Sequence, residues 1–136
     1  MSTPIEVVRQ FCDLMSKRDA EVLRPFVAED ATYQNVGMAA VSGADDILKN
    51  LAAQFGAYPD SYAYETVNIA AVGETVLTER LDYIRTPAGD LAGIPVMGTF
   101  VLKDGRISRW TDYWDTGLPK KFMTGEDTSS LVPAQY

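Results

Sequence analysis

The amino-acid sequence predicts an α+β domain in which about three N-terminal helices pack on one face of a curved, mostly antiparallel sheet. Three observations support this. Apolar residues recur at helical spacing up to residue 55, and from residue 62 onward the chain turns to runs rich in Val, Ile, Thr, Tyr and Trp. Asp104-Gly105 stands between two apolar runs, a strong hairpin signal. Helices followed by strands favour segregated layers over an alternating, doubly wound sheet.

Thr3 before Pro4 reads as a helix N-cap with proline at the first helical position. Ile5, Val8, Cys12 and Met15 follow at helical spacing and predict an amphipathic helix over 4–17. Asp19 is expected to cap a shorter second helix through Leu23 and Phe26. Residues 31–35, Ala-Thr-Tyr-Gln-Asn, read as a short strand. A third helix is expected from Ala44 to Phe55, introduced by Ser42-Gly43 and carrying Ile47, Leu48, Leu51 and Phe55. Residues 62–71, 75–86, 91–103 and 106–115 then read as four strands. Gly73-Glu74, Pro87-Ala88-Gly89-Asp90 and Asp104-Gly105 separate them. No repeat or linker divides residues 1–136, which read as one domain, and residues 123–136 are expected to form a loosely held tail. A sheet curved under its helices encloses a cavity, a natural place for a small apolar ligand.

The 136 residues are 46% apolar and 23% charged, enough for one real hydrophobic core. The N-terminus lacks a basic region followed by an apolar run, and no apolar stretch nears the roughly 20 residues that span a bilayer. The single cysteine, Cys12, has no internal disulfide partner. A soluble, cytoplasmic protein is therefore expected. A formal net charge of −7 without a basic cluster disfavours nucleic acid and anionic membrane surfaces as partners. The absence of histidine is more informative. It excludes Ser-His-Asp triads, Cys-His pairs and His-ligated metals, and one cysteine excludes a thiolate zinc site. Acid–base chemistry falls to carboxylates, tyrosine, lysine or bound water, and no cofactor or metal is expected.

Alternation along Val76–Ile84 places Thr78, Arg80, Asp82 and Ile84 on one strand face. Both faces mix polar and apolar groups, so the strand alone does not say which side is inside, and Arg80 and Asp82 by themselves read first as a surface ion pair. The last strand shifts that balance. Trp110, Asp112 and Trp114 share a face, and two indoles rarely point together at solvent. An aspartate buried between them needs a cationic partner, which Arg80 on a neighbouring strand supplies. A structural ion pair in the core is the plain alternative. Tyr33 and Asn35 form a third polar pair on one short strand, able to hold a water with a carboxylate, although such a strand is often plain surface.

Tyr33-Gln34-Asn35, Thr78-Glu79-Arg80-Leu81-Asp82 and Trp110-Thr111-Asp112-Tyr113-Trp114-Asp115 resemble, in order and spacing, three signature segments of limonene-1,2-epoxide hydrolases. The resemblance covers most of residues 4–122. It implies the cone-like α+β fold of nuclear transport factor 2 (the NTF2-like or SnoaL-like cone) with a mixed sheet, and a homodimer joined through the outer sheet face near Tyr83 and Tyr113. The chain is read as starting later than some relatives, and Trp114 and Tyr83 add bulk where the family pattern differs. By the same resemblance Asp112 is the general base, Asp82 the general acid and Arg80 the group between them, with Tyr33 and Asn35 holding the attacking water. The implied reaction is one concerted step without a covalent ester or cofactor, acting on a small apolar or cyclic, terpenoid-like epoxide. Ile84, Ile94, Val96, Phe100, Trp114 and Phe55 are candidate lining residues, with core packing as their alternative role.

The cone also hosts ketosteroid isomerases, polyketide cyclases and binding modules, so the fold alone does not assign an activity. An isomerase does not require an arginine between two aspartates. A binding module would be served as well by apolar residues in their place.

Overall fold

A computed structural model of the protein describes residues 2–133. The first helix, α1 (Pro4–Asp13), opens with a capping box: Thr3 Oγ1 accepts the Glu6 amide at 3.2 Å, and Glu6 Oε2 accepts the Thr3 amide at 3.3 Å. It is shorter than its apolar periodicity predicts, because the chain tightens into a 3₁₀ turn over Leu14–Lys17 and ends at Arg18 in the left-handed region. Val7, Val8, Phe11 and Cys12 form its buried stripe, Met15 continues it in the 3₁₀ turn, and Ile5 stays half-buried. Asp19 caps the next segment as expected, but Ala20–Phe26 is a 3₁₀ helix. Pro25 inside it has no amide to donate, which works against a regular α-helical ladder.

The strand expected at 31–35 begins earlier, as β1 (Val27–Asn35), followed by the two-residue β2 (Val41–Ser42). Helix α2 (Ala44–Ala57) leaves from Gly43 at φ 91° and buries Ile47, Leu48, Leu51 and Phe55. Four strands then follow as a meander: β3 (Ala63–Val72), β4 (Thr75–Arg85), β5 (Leu91–Lys103) and β6 (Arg106–Tyr113). Asp104 and Gly105 both take positive φ, which fits the twist of a tight β5–β6 hairpin.

The six strands form one mixed sheet in the order β2-β1-β6-β5-β4-β3. All pairs are antiparallel except β1 with β6, which run parallel. The parallel pair brings the N-terminal strand beside the end of the meander. Helix α1 packs over β3 and β4, and α2 over β1. A short helix not anticipated from the sequence, α3 (Leu118–Met123), buries Leu118 and Phe122 against Ile84, Ile94 and Val96. Beyond it Met123 and Val132 touch the same cluster, while most residues between them are exposed. Residues 134–136 of the expected tail lie outside the described residues.

Candidate active site

The site is built by register. Asn35 of β1 pairs with Asp112 of β6, Asp112 with Gly98 of β5, and Gly98 with Thr78 of β4. These four residues form a row across the sheet. Arg80 lies two residues from Thr78 on the same inward face and reaches back over Gly98 to Asp112. A side chain at position 98 would close that path. A Cβ there would overlap the guanidinium and come within 2.7 Å of Asp112 Oδ1 and 2.9 Å of Thr78 Oγ1. Gly98 was not among the candidates drawn from sequence. An isolated glycine inside a strand is nevertheless a known sign of close approach.

All five Arg80 donors are used. Nε and Nη2 hold Asp82 at 3.1 and 3.0 Å, and Nη1 and Nη2 hold Asp112 at 3.2 and 2.9 Å. The remaining Nη1 hydrogen goes to Thr78 Oγ1 at 3.1 Å. The guanidinium also lies 4.3 Å from the centroid of the Tyr64 ring, a cation–π contact. Arg80 is 1% exposed, so the surface ion pair is excluded. Burial favours losing its proton, but Asp112 and Asp82 outweigh that and hold it more firmly than an ordinary arginine. Asp112 is 2% exposed, and its Oδ1 receives Arg80 and the Trp110 indole N–H at 2.8 Å. Among the described residues its Oδ2 receives only Arg80, which leaves a lone pair free. Burial is the main cause raising the Asp82 carboxyl to about 6; the Asp112 charge adds to it, while Arg80 opposes it.

Both carboxylates open onto a cavity of about 410 Å³, within the range of small-molecule sites. Tyr33 and Asn35 share its wall with them. So do Ile84, Ile94, Val96 and Trp114, four of the six residues expected to line a pocket. The other two lie elsewhere. Phe100 is fully buried in the core and stacks on Trp110 with 5.5 Å between ring centroids. Phe55 packs edge-on against Tyr62 at 5.2 Å and turns its edge to the far side of α2. Alternation and helical period placed both rings inward but did not say whether the inward space is filled. The far side of α2 carries a wide surface groove of about 870 Å³, edged by Arg18, Glu21, Arg24, Asp45 and Lys49. Its exposed ion pairs, Arg24–Glu21 at 2.9 Å and Arg24–Asp45 at 2.7 Å, contribute little stability.

A polar wall faces the carboxylates, and no sequence pattern announced it. It comprises Asn50 and Gln54 on α2 with Tyr58, Tyr62 and Tyr64. Helical periodicity identifies only the apolar stripe of α2, and Gln54 lies at the stripe's edge. Cys12 is fully buried, and burial pushes its thiol up to about 12, so it stays protonated. Among the described residues no three carboxylate or thiol groups are placed to hold a metal ion, and no helix is long and apolar enough to cross a membrane.

Known proteins share this arrangement of chain. Epoxide hydrolase EphG of Mycobacterium tuberculosis (strain ATCC 25618 / H37Rv) is 30% identical over 112 residues, 79% of this chain and 70% of the relative. A solved M. tuberculosis LEH-like epoxide hydrolase superposes with a TM-score of 0.74 at 25% identity, covering 96% of both chains. An NTF2-like protein of unknown function from Cytophaga hutchinsonii superposes with a TM-score of 0.70 at 16% identity, over 88% of this chain and 96% of the other, a likeness of fold. The limonene-1,2-epoxide hydrolase catalytic-domain model matches residues 2–121, and the chain belongs to that family.

Proposed function

We propose that the protein adds water to a small apolar or cyclic epoxide, giving a vicinal diol in one concerted acid–base step without a covalent intermediate or cofactor. The observation that carries this reading is the single guanidinium that holds two carboxylates side by side at the wall of a mostly apolar cavity. Asp112 Oδ2 takes a proton from the attacking water as the oxygen bonds to a ring carbon. Asp82 gives its proton to the ring oxygen as the C–O bond breaks. The proton then returns from Asp112 to Asp82, so the enzyme is unchanged. Arg80 touches neither water nor epoxide; it positions both carboxylates. Tyr33 and Asn35 hold the water, and Ile84, Ile94, Val96 and Trp114 receive the hydrocarbon.

The charge balance favours this division of labour. An ionised Asp112, a neutral Asp82 and Arg80 sum to zero in a buried site, and two ionised carboxylates so close would repel. A carboxyl raised to about 6 suits a general acid near neutral pH better than an ordinary aspartate does. A cytoplasmic homodimer paired through the outer sheet face completes the reading. Tyr113 there is 52% exposed.

The test is single-turnover hydrolysis of limonene oxide and cyclohexene oxide in ¹⁸O-labelled water without added metal. Label in the first diol supports direct attack by water. Unlabelled first-turnover diol points to an enzyme ester, and folded protein that yields no diol returns the reading to an isomerase, a cyclase or a binder.

A further inference from the structure

Tyr33 and Asn35 are ambiguous groups, because a hydroxyl either donates or accepts and an amide presents either oxygen or nitrogen. Their neighbours remove the ambiguity. The Trp114 indole N–H can only donate, and it lies 2.8 Å from Asn35 Oδ1. The amide nitrogen is thereby turned to the Tyr33 hydroxyl, 3.1 Å away. From the other side Gln54 Nε2 donates to Tyr33 at 3.4 Å and to Asn50 Oδ1 at 2.8 Å, using both of its hydrogens. Gln54 Oε1 accepts the Tyr62 hydroxyl, so in the Tyr62–Tyr64 pair, 3.1 Å apart, Tyr64 is the donor. The chain of bonds runs one way, from Tyr64 through Tyr62 and Gln54 to Tyr33. Tyr33 receives two hydrogen bonds, both its lone pairs are engaged, and only its own proton is left for the cavity.

We infer that Gln54 and Trp114 are positioning residues that set the hydrogen-bond direction of the water site, making Tyr33 a donor and Asn35 Oδ1 an acceptor. This rests on the hydrolase reading. The water accepts the Tyr33 proton, gives one hydrogen to Asp112 Oδ2 and the other to the second lone pair of Asn35 Oδ1. One lone pair remains, aimed at the ring carbon. If Tyr33 donated to a neighbour instead, its oxygen would compete with Asp112 for the water hydrogens and the base would lose its proton path. Neither Gln54 nor Trp114 exchanges a proton with substrate. Gln54 acts through Tyr33, so its effect belongs in kcat and not in KM, while Trp114, which also lines the cavity, orients the water site through its N–H to Asn35. Cooperative polarisation along such a chain strengthens its terminal donor.

Wild-type epoxide turnover is measured first, because its absence overturns the hydrolase reading and this inference together. With turnover present, Gln54→Glu and Gln54→Met are compared. Glutamate nearly matches glutamine in shape, but when ionised it only accepts and reverses the chain at Tyr33. Methionine merely removes the bonds. The expected order is a fall in kcat of about 10²-fold for Q54E and a smaller fall for Q54M, with KM within threefold for both. Trp114→Phe keeps a ring and removes the N–H, and kcat is expected to fall about tenfold. Thermal unfolding verifies that each variant is folded, and the glutamine pair keeps the inference testable if W114F does not fold. A greater loss in Q54M than in Q54E, losses confined to KM, or kcat within twofold of wild type in Q54E overturns the inference and leaves the hydrolase reading standing.

Discussion

The concave face of the sheet has two halves built from the same strands by the same alternation, and one is filled while the other is hollow. On β5 the inward residues run Ile94, Val96, Gly98, Phe100 and Leu102, all buried. Phe100 and Leu102 belong to the core under α1, where Phe11 meets Phe100 and Trp110 edge-on at 6.1 and 5.2 Å. Ile94 and Val96 face the cavity and are backed by α3 through Leu118 and Phe122. Between the halves, at Gly98, lies the ion triad of Arg80, Asp82 and Asp112. Alternation decides which residues point inward; the helix above decides whether they meet protein or empty space. A buried triad of this kind is a weak source of stability, because desolvation offsets much of its attraction. Its place at the boundary is better explained by chemistry than by folding.

The largest expected effect is that of Asp112→Asn. It nearly preserves shape and removes the carboxylate that the proposed mechanism uses as its base, so kcat is expected to fall about 10³-fold or more in a protein that still unfolds cooperatively. Turnover at the wild-type level in that variant would falsify the role of Asp112. Next comes a matched pair on β5. Leu102→Ala in the filled half is expected to cost about 2–5 kcal/mol, read by denaturant unfolding, with KM unchanged. Ile94→Ala in the hollow half is expected to cost about 2 kcal/mol or less and to raise KM, because its side chain already borders open space. Equal destabilisation by the two would erase the distinction between core and cavity.

Gly98→Ala probes the boundary itself. The added methyl must displace Arg80 or its partners, so about 1–3 kcal/mol of stability and most of kcat should be lost together. A fall in melting temperature with unchanged kcat would show that the guanidinium can move without consequence for the reaction. The smallest effect is that of pH. With its carboxyl raised to about 6, Asp82 loses as pH rises through that value the proton that the proposed mechanism has it donate. The alkaline limb of kcat/KM should therefore fall by up to about tenfold per pH unit above 6, read from a pH–rate profile. A profile flat to pH 8.5 would remove Asp82 from the acid role.

Legibility followed the range of the interaction. The N-cap at Thr3, the Asp104-Gly105 hairpin and the shared strand face of Thr78, Arg80, Asp82 and Ile84 are local properties and were readable directly, but that strand alone did not say which of its faces points inward. The pairing of Arg80 with Asp112 was readable less directly, from the cost of burying an aspartate between two indoles. The 3₁₀ form of Ala20–Phe26 turned on Pro25, a local signal outweighed by the apolar spacing around it. Gly98 and Gln54 were missed for different reasons. Gly98 matters only because a side chain from β4 crosses it, and Gln54 only because α2 lies over β1.

The sequence alone determined the α+β class, which residues share each strand face and the need for a buried cation beside Asp112. All of these follow from residue types at fixed local spacing. Only the tertiary structure decided that Phe100 and Phe55 are walled off from the cavity while Ile94 and Val96 are not. It also decided that Arg80 spends every donor on its partners and that the tyrosine–glutamine chain points toward Tyr33. These depend on which elements come to lie across one another and on how many donors and acceptors then remain unspent, and neither is set by neighbours along the chain.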